Sequence, residues 1–305
     1  MWSQKTSERR SNDCMFRRNL IKSMFLVVFF LNGFCICSNA QIQEKFVTVF
    51  GAKLRYLEVG EKNKDVLILL HGLGSSAESW QMNIIPLSEK FHVIAPDQVG
   101  FGKSDKPFLK YRVSTYVDFL DKFMSELKIE KAHLVGNSLG GWIAALMALK
   151  YPERVEKLVL VDAAGILPEK FSENDVYQLN NSTRDEIRQN LQRIFVKPVF
   201  RNNELLVDQL LTQRVTVNDG YTISSLIESI KRKEDFLNDQ LGLIKKRTLI
   251  IWGREDGLLP ISDAYKFNKA ITGSRLIIFE NCGHVPQLEN AMEFNRKVAE
   301  FLLEK

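Results

Sequence analysis

Short, nearly continuous apolar runs recur along this chain with room for one helix between successive runs, and no other feature restricts its fold as much. Val66–Leu70, His92–Ala95, Ala132–Val135, Val155–Val161, Thr248–Trp252 and Leu276–Phe279 are rich in Val, Ile and Leu. A strand buried on both faces reads this way, whereas a half-solvated strand alternates. Helical patterns at Ser79–Glu89, Ser114–Leu127, Leu139–Leu149, Ser262–Ala270 and Ala291–Leu303 complete the alternation. Two earlier runs, Phe46–Phe50 and Leu54–Val59, flank Gly51-Ala52-Lys53 and predict a hairpin. The expected fold class is α/β, with a doubly wound, mostly parallel sheet.

The alternation breaks between Gly165 and Lys246. Thr183-Arg184-Asp185-Glu186 matches a capping box that opens a helix over Ile187–Phe195, and Glu204–Gln213 and Ile223–Lys231 read as two more helices. Open α/β sheets bind ligands at the carboxyl ends of their strands. The expected organisation is therefore a core of residues 41–164 and 247–305, with a helical cap at 165–246 inserted after the sixth strand.

Residues 1–40 have a different character. Arg17, Arg18 and Lys22 precede an apolar run from Met24 to Leu31, and Ser38-Asn39-Ala40 then supplies small residues ahead of Gln41. This is the pattern of a signal peptide, so the chain is expected to be exported, periplasmic or secreted. The alternative is an uncleaved membrane anchor, although the strictly apolar core is shorter than the roughly 20 residues of a comfortable span. The leader holds six basic and two acidic residues, which leaves 36 basic against 35 acidic in the rest. A balance near +1 after Ala40 argues against nucleic acid as a partner. Three of the four cysteines also lie in the leader, and only Cys282 lies beyond it.

Gly136-Asn137-Ser138-Leu139-Gly140-Gly141 follows one apolar run and opens a helical one, the context that a G-x-S-x-G elbow requires. Such a turn forces its serine into a strained conformation and exposes Oγ above the sheet. The helix N-terminus beneath offers free N–H groups where an oxyanion would form. Ser138 is the expected nucleophile. It needs a base, and the chain has four histidines. His92 and His133 lie inside strands, and His71 closes one ahead of Gly72-Leu73-Gly74. His284, in a loop after the last strand, emerges at the same sheet edge as Ser138. It needs an acid in turn. Asp256, after Thr248–Trp252, is the first candidate, with Glu255 beside it and Asp162 after the preceding strand as alternatives. The order Ser–Asp–His suits this fold. The N–H groups of Leu73 and Leu139 are the expected oxyanion donors. No His/Cys/Asp cluster has metal-ligand spacing, so neither metal nor cofactor is called for. Asn180 and Asn181 begin N-x-[ST] sequons in a polar stretch before the capping box.

HGLGSS (71–76), PDQVGFGKSDKP (96–107), GNSLGGW (136–142), YPERVEKLVLVDAAG (151–165), WGREDGLLP (252–260) and NCGHVPQLE (281–289) together resemble the α/β-hydrolase superfamily over residues 45–304. Within it, the chain looks most like the carbon–carbon bond hydrolases of aromatic meta-cleavage pathways, which share GNS-x-GG. That resemblance makes Asn137 the counterpart of their asparagine beside the nucleophile and Arg214 the counterpart of their cap arginine, although HGLGSS lacks their usual Gly-Pro-Gly. His71 and Gly72 are further expected substrate-binding residues. General esterases and lipases share the remaining motifs. The expectation is hydrolysis of an apolar carboxylic ester through an acyl-enzyme. The alternative is carbon–carbon cleavage of a vinylogous diketone by the same residues. The expected partner is a small-molecule substrate, with membrane contact only through an uncleaved leader.

Overall fold

A parallel sheet buried on both faces needs helices on both sides, and the arrangement of this chain follows from that need. The computed structural model describes residues 41–169 and 179–304. Residues 1–40, expected to be a signal peptide, lie outside the described residues. The strands are β1 (Gln43–Val49), β2 (Ala52–Val59), β3 (Val66–Leu70), β4 (His92–Pro96), β5 (Ala132–Asn137), β6 (Val155–Val161), β7 (Thr248–Gly253) and β8 (Arg275–Phe279). The described helices are α1 (Ile84–Ser88), α2 (Val113–Glu126), α3 (Leu139–Lys150), α4 (Arg184–Ile194), α5 (Pro198–Arg201), α6 (Glu204–Val217), α7 (Gly220–Lys231), α8 (Ile261–Ala270), α9 (Pro286–Glu289) and α10 (Ala291–Leu303).

All eight described strands join one sheet in the order β1-β2-β4-β3-β5-β6-β7-β8. β1–β2 and β2–β4 pair antiparallel and every later pair is parallel, so the expected fold class stands. Alternate residues of each central strand enter opposite cores. Ile68, Leu70, Leu134 and Leu160 pack with Val117, Ile143 and Phe267 from α2, α3 and α8. Leu67, Leu69, Val135 and Val161 pack with Ile84, Phe294 and Val298 from α1 and α10. Each side chain buried this way contributes about 1.5–3 kcal/mol. α3 is buried all round from Leu139 to Ala148, which explains its unbroken apolar sequence and gives Ser138 a rigid base.

Two local expectations are corrected. The β1–β2 turn is Phe50-Gly51, not Gly51-Ala52-Lys53. Val49 pairs with Ala52, and Phe50 (φ 49°) and Gly51 (φ 84°) are both left-handed. This is a two-residue hairpin turn whose twist matches the strands. The expected helix Ser79–Glu89 is a 3-10 turn, Ala77–Trp80, followed by the short α1. Pro86 is the reason: lacking an N–H, it is tolerated in the first turn of α1 but not deep inside a helix begun at Ser79.

A buried ion cluster ties the sheet's antiparallel edge to the loops at its carboxyl end. Arg55 on β2 is 2% exposed and meets Asp97, itself fully buried, at 3.2 Å, with Glu78 at 2.6 Å and Glu44 at 3.1 Å. Asp97 also accepts from the N–H groups of Ala77 and Lys103, both at 2.8 Å. Beside it, Nε2 of His71 accepts from the N–H of Gln98 at 3.0 Å, and Nδ1 lies 2.8 Å from the Gly72 carbonyl. Those partners fix His71 as the neutral tautomer protonated at Nδ1. Burial lowers its affinity for a second proton, and likewise that of His133, where the Lys157 charge adds to the effect.

Two predictions follow from these buried groups. Asp97→Ala would leave Arg55 with only two partly exposed glutamates and should lower stability by about 3–5 kcal/mol, read as a shifted urea midpoint. A drop below about 1 kcal/mol would show that the cluster is incidental. His71 and His133 are depressed in the folded chain, so their contribution is complete above about pH 6.5 and is lost as pH falls through their folded values. Thermal melts from about pH 7.5 to 5 should therefore show a falling Tm, with a shallower fall in His71→Asn. An unchanged slope in that variant would remove His71 from the account.

Candidate active site

The carboxyl ends of β3, β5, β6, β7 and β8 bring the sequence-predicted residues to one edge of the sheet. β5 runs into α3 through Ser138, whose φ of 55° and ψ of −118° lie in a region that side chains rarely adopt. Such a conformation costs about 1–3 kcal/mol and persists only where its surroundings over-determine it. Here the Ser138 N–H donates to the Val161 carbonyl at 2.9 Å, and the Ser138 carbonyl accepts from Trp142 and Ala164, both at 3.1 Å. The flanking glycines are required for close approach. A Cβ on Gly140 would run into the Leu70 carbonyl, and one on Gly136 into the carbonyl of Gly140.

The loop after β3 lies against this elbow: a Cβ built on Gly72 would sit 3.4 Å from the Ser138 Cβ. Leu139 opens α3, so its N–H has no acceptor within the helix, and the Leu73 N–H donates to no described residue. Both expected oxyanion donors are thus uncommitted. His71 is not: it is fully buried with both ring nitrogens engaged. Its part is to hold the Gly72-Leu73 loop in place.

After β7, Asp256 accepts from Leu258 N–H at 2.7 Å, Leu259 N–H at 3.0 Å and His284 Nδ1 at 2.7 Å. Three donors suit an ionised carboxylate. With Nδ1–H given to Asp256, the other ring nitrogen of His284 carries the lone pair that a base requires. Neither that nitrogen nor Ser138 Oγ bonds to another described residue, and contacts of this kind commonly close only when substrate is present. Glu255, the alternative acid, accepts instead from the N–H of Cys282 at 3.0 Å. Asp162 is fully buried next to Asp256: ligand atoms of Asp162, Asp256 and His284 lie within 4.8 Å of one another. Cys282 is buried, and burial pushes its thiol well above the usual range.

Asn137 links the parts. Its amide donates to the Val161 carbonyl at 3.2 Å and to the His284 carbonyl at 3.0 Å, so the residue before Ser138 holds the histidine loop. Arg214 on α6 arrives from the helical insertion. Its guanidinium packs so closely on Gly74 that a Cβ there would collide with it, and it pairs with buried Asp219 at 2.7 Å. Asn180 is bonded to Ser224 Oγ at 3.0 Å, and Asn181 is buried.

Sequence reasoning missed the residue that joins the insertion to the histidine loop. Glu289 accepts from Val196 N–H at 2.9 Å, Lys197 N–H at 2.7 Å and Gly283 N–H at 2.7 Å. The C-terminal carbonyls of α4 complete the seam, since Arg193 accepts from Gly257 at 3.0 Å and Ile194 from His284 at 2.7 Å. Nothing in the spacing of Glu289 separates it from an ordinary helix-surface glutamate.

Comparisons with known proteins identify the family. A hydrolase of 2-hydroxy-6-oxononadienedioate and 2-hydroxy-6-oxononatrienedioate from Pseudomonas putida is 33% identical, over 82% of this chain and 91% of its own. The solved meta-cleavage product hydrolase from Pseudomonas fluorescens is 31% identical, with a TM-score of 0.78 over 85% of this chain and 97% of its own. A bacterial membrane phospholipase A is also 31% identical, with a TM-score of 0.75 over 86% of each chain. Residues 65–291 match the family described as alpha/beta hydrolase fold. That match runs from the foot of β3 to the start of α10, taking in the elbow, the acid loop and the histidine loop, and the chain belongs to the α/β-hydrolase family, close to the meta-cleavage product hydrolases.

Proposed function

We propose that this chain hydrolyses a carbon–carbon bond in a vinylogous diketone that carries a carboxylate, using Ser138, His284 and Asp256. The observation that carries the reading is Arg214, a cation from the insertion packed on the Gly72-Leu73-Gly74 loop beside Ser138. A dienoate needs such a group and a neutral ester does not. The activities named for the Pseudomonas relatives support the same reading, and they reverse the order expected from sequence, which put the ester first.

In this mechanism Ser138 attacks the ketone carbonyl while His284 takes its proton. The N–H groups of Leu73 and Leu139 bind the tetrahedral oxyanion; losing one such donor typically costs roughly 2.7–4 kcal/mol. Collapse breaks the bond to the neighbouring carbon, whose electron pair is delocalised through the alkene into the distal ketone as a dienolate. His284 returns the proton to that fragment. The remaining acyl-enzyme is cleared by water through the same base. Asp256 holds the imidazole and stabilises its charged form. Residues 165–246 act as a cap over the site, and residues 1–40 export the chain.

A second reading, hydrolysis of an apolar ester, has its own support. Asp219 offsets the Arg214 charge at 2.7 Å, and Leu206, Leu210 and Leu211 of α6 pack on the same apolar cluster, around Ile187, Leu191 and Val207, as Val285 beside His284. The phospholipase likeness points the same way.

The test compares a 6-substituted 2-hydroxy-6-oxohexa-2,4-dienoate, which becomes the vinylogous diketone when its 2-hydroxyl proton moves to carbon 5, with p-nitrophenyl esters. Ser138→Ala should abolish turnover of both. Arg214→Ala should cut dienoate turnover roughly 10- to 100-fold, the loss of one charged hydrogen bond, and change ester turnover less than about 3-fold. Rapid, Arg214-independent ester turnover with no dienoate cleavage would install the second reading instead.

A further inference from the structure

Asp162 takes no part in that chemistry, yet it is the most constrained polar group near it. It follows β6 with a positive φ of 41° and is fully buried. Oδ1 accepts from the Gly253 N–H at 2.9 Å, while Oδ2 is buried with no hydrogen-bond partner among the described residues. A carboxylate oxygen left this way is costly. Within 4.8 Å lie an oxygen of Asp256 and a ring nitrogen of His284.

Two carboxyl groups this close in a buried pocket cannot both hold a charge. The count of donors decides between them. Three donors reach Asp256, whereas one reaches Asp162. Burial first, and the Asp256 charge second, push the Asp162 carboxyl well above its usual range. A proton on Oδ2 removes the orphaned acceptor and creates a donor facing Asp256. The titratable groups around Asp162 are Asp256 after β7, Cys282 and His284 after β8, and Glu289 on α9.

We propose that Asp162 is a second, proton-holding acid of this site, which positions Asp256 and takes its place beside His284 when Asp256 is removed. The proposal rests on the serine–histidine reading above. Without Asp256 the neighbouring negative charge disappears, Asp162 ionises more readily, and its freed oxygen can accept the His284 Nδ1 proton after a small rotation.

The experiment follows the rate at which a fluorophosphonate labels Ser138, a readout independent of substrate class. Ser138→Ala is the control: equal labelling in that variant would overturn the serine reading itself. With Asp256 present, Asp162→Asn should slow labelling by at most about 5-fold; with Asp256→Ala, the same change should slow it by at least about 30-fold. A merely structural Asp162 would give the same factor in both backgrounds, and that result overturns the proposal. The Asp256→Ala rate should also rise with pH along a limb absent from the double variant. Asp256→Asn provides a second background in case the alanine variant folds poorly. In the unsubstituted protein at neutral pH, the infrared band of a protonated carboxyl should be present and should vanish in Asp162→Asn. Its absence from the unsubstituted protein would overturn the proposal without any catalytic assay.

Discussion

Everything in this site hangs from the contact between the first turn of α3 and the ends of β3 and β5. The Gly140 backbone touches the Leu70 carbonyl, and Gly136 touches Gly140, so strand and helix meet with no side chain between them. That closeness forces the positive φ at Ser138 and lifts its hydroxyl above the sheet. It also aims the free N–H groups of the helix start at the place where negative charge would develop. The strain is local, but its support is not. Val161 on β6 and Ala164 beyond it bond the Ser138 backbone, and α3 is buried along most of its length. A rigid base is what permits a strained residue at its tip.

The helical insertion is attached to this base where its own helix would otherwise be incomplete. Helix C-termini leave carbonyls without partners. In α4 two of these, Arg193 and Ile194, are satisfied by the N–H groups of Gly257 and His284, from the acid and histidine loops. Glu289 reinforces the seam by accepting from both sides. The end of α4 is thereby registered to His284, whereas α6 reaches the Gly72-Leu73-Gly74 loop through Arg214. Fixed geometry at the base and adaptable chemistry at the rim can coexist because they belong to different helices.

The legible and illegible parts of the sequence divide along the same physical line. The elbow could be read because its requirements are local: strand, small residue, serine, small residue and helix lie within a few positions. The parallel strands could be read because burial on both faces leaves a nearly continuous apolar record, whereas β1 and β2 were legible as the two arms of a hairpin. His284 followed from elimination among four histidines. The choice between Asp256 and Asp162 was not local. Both follow strands, and only the loop path that gives Asp256 three donors separates them. Glu289 and Asp219 were invisible for a related reason, since their partners come from loops whose course no periodicity records. The Phe50-Gly51 turn was misplaced because Phe carries no signal for a left-handed position.

Charge placement links these points to substrate choice. The buried end of the site holds two carboxyls, and the sharing of one proton between them lets His284 face a single negative charge instead of two. At the rim, Arg214 is balanced by Asp219 at 2.7 Å, so the pair is neutral until a ligand competes for the guanidinium. A carboxylate can do so only by supplying hydrogen bonds as good as those it displaces. A substrate that binds this way gains orientation, because the anchored end fixes the distance from its carboxylate to its reacting ketone. Under the proposed carbon–carbon hydrolase reading, Asp219 would set a threshold: weakly placed anions would leave the Arg214 pair intact, and only those whose ketone reaches Ser138 would exchange one ion pair for another.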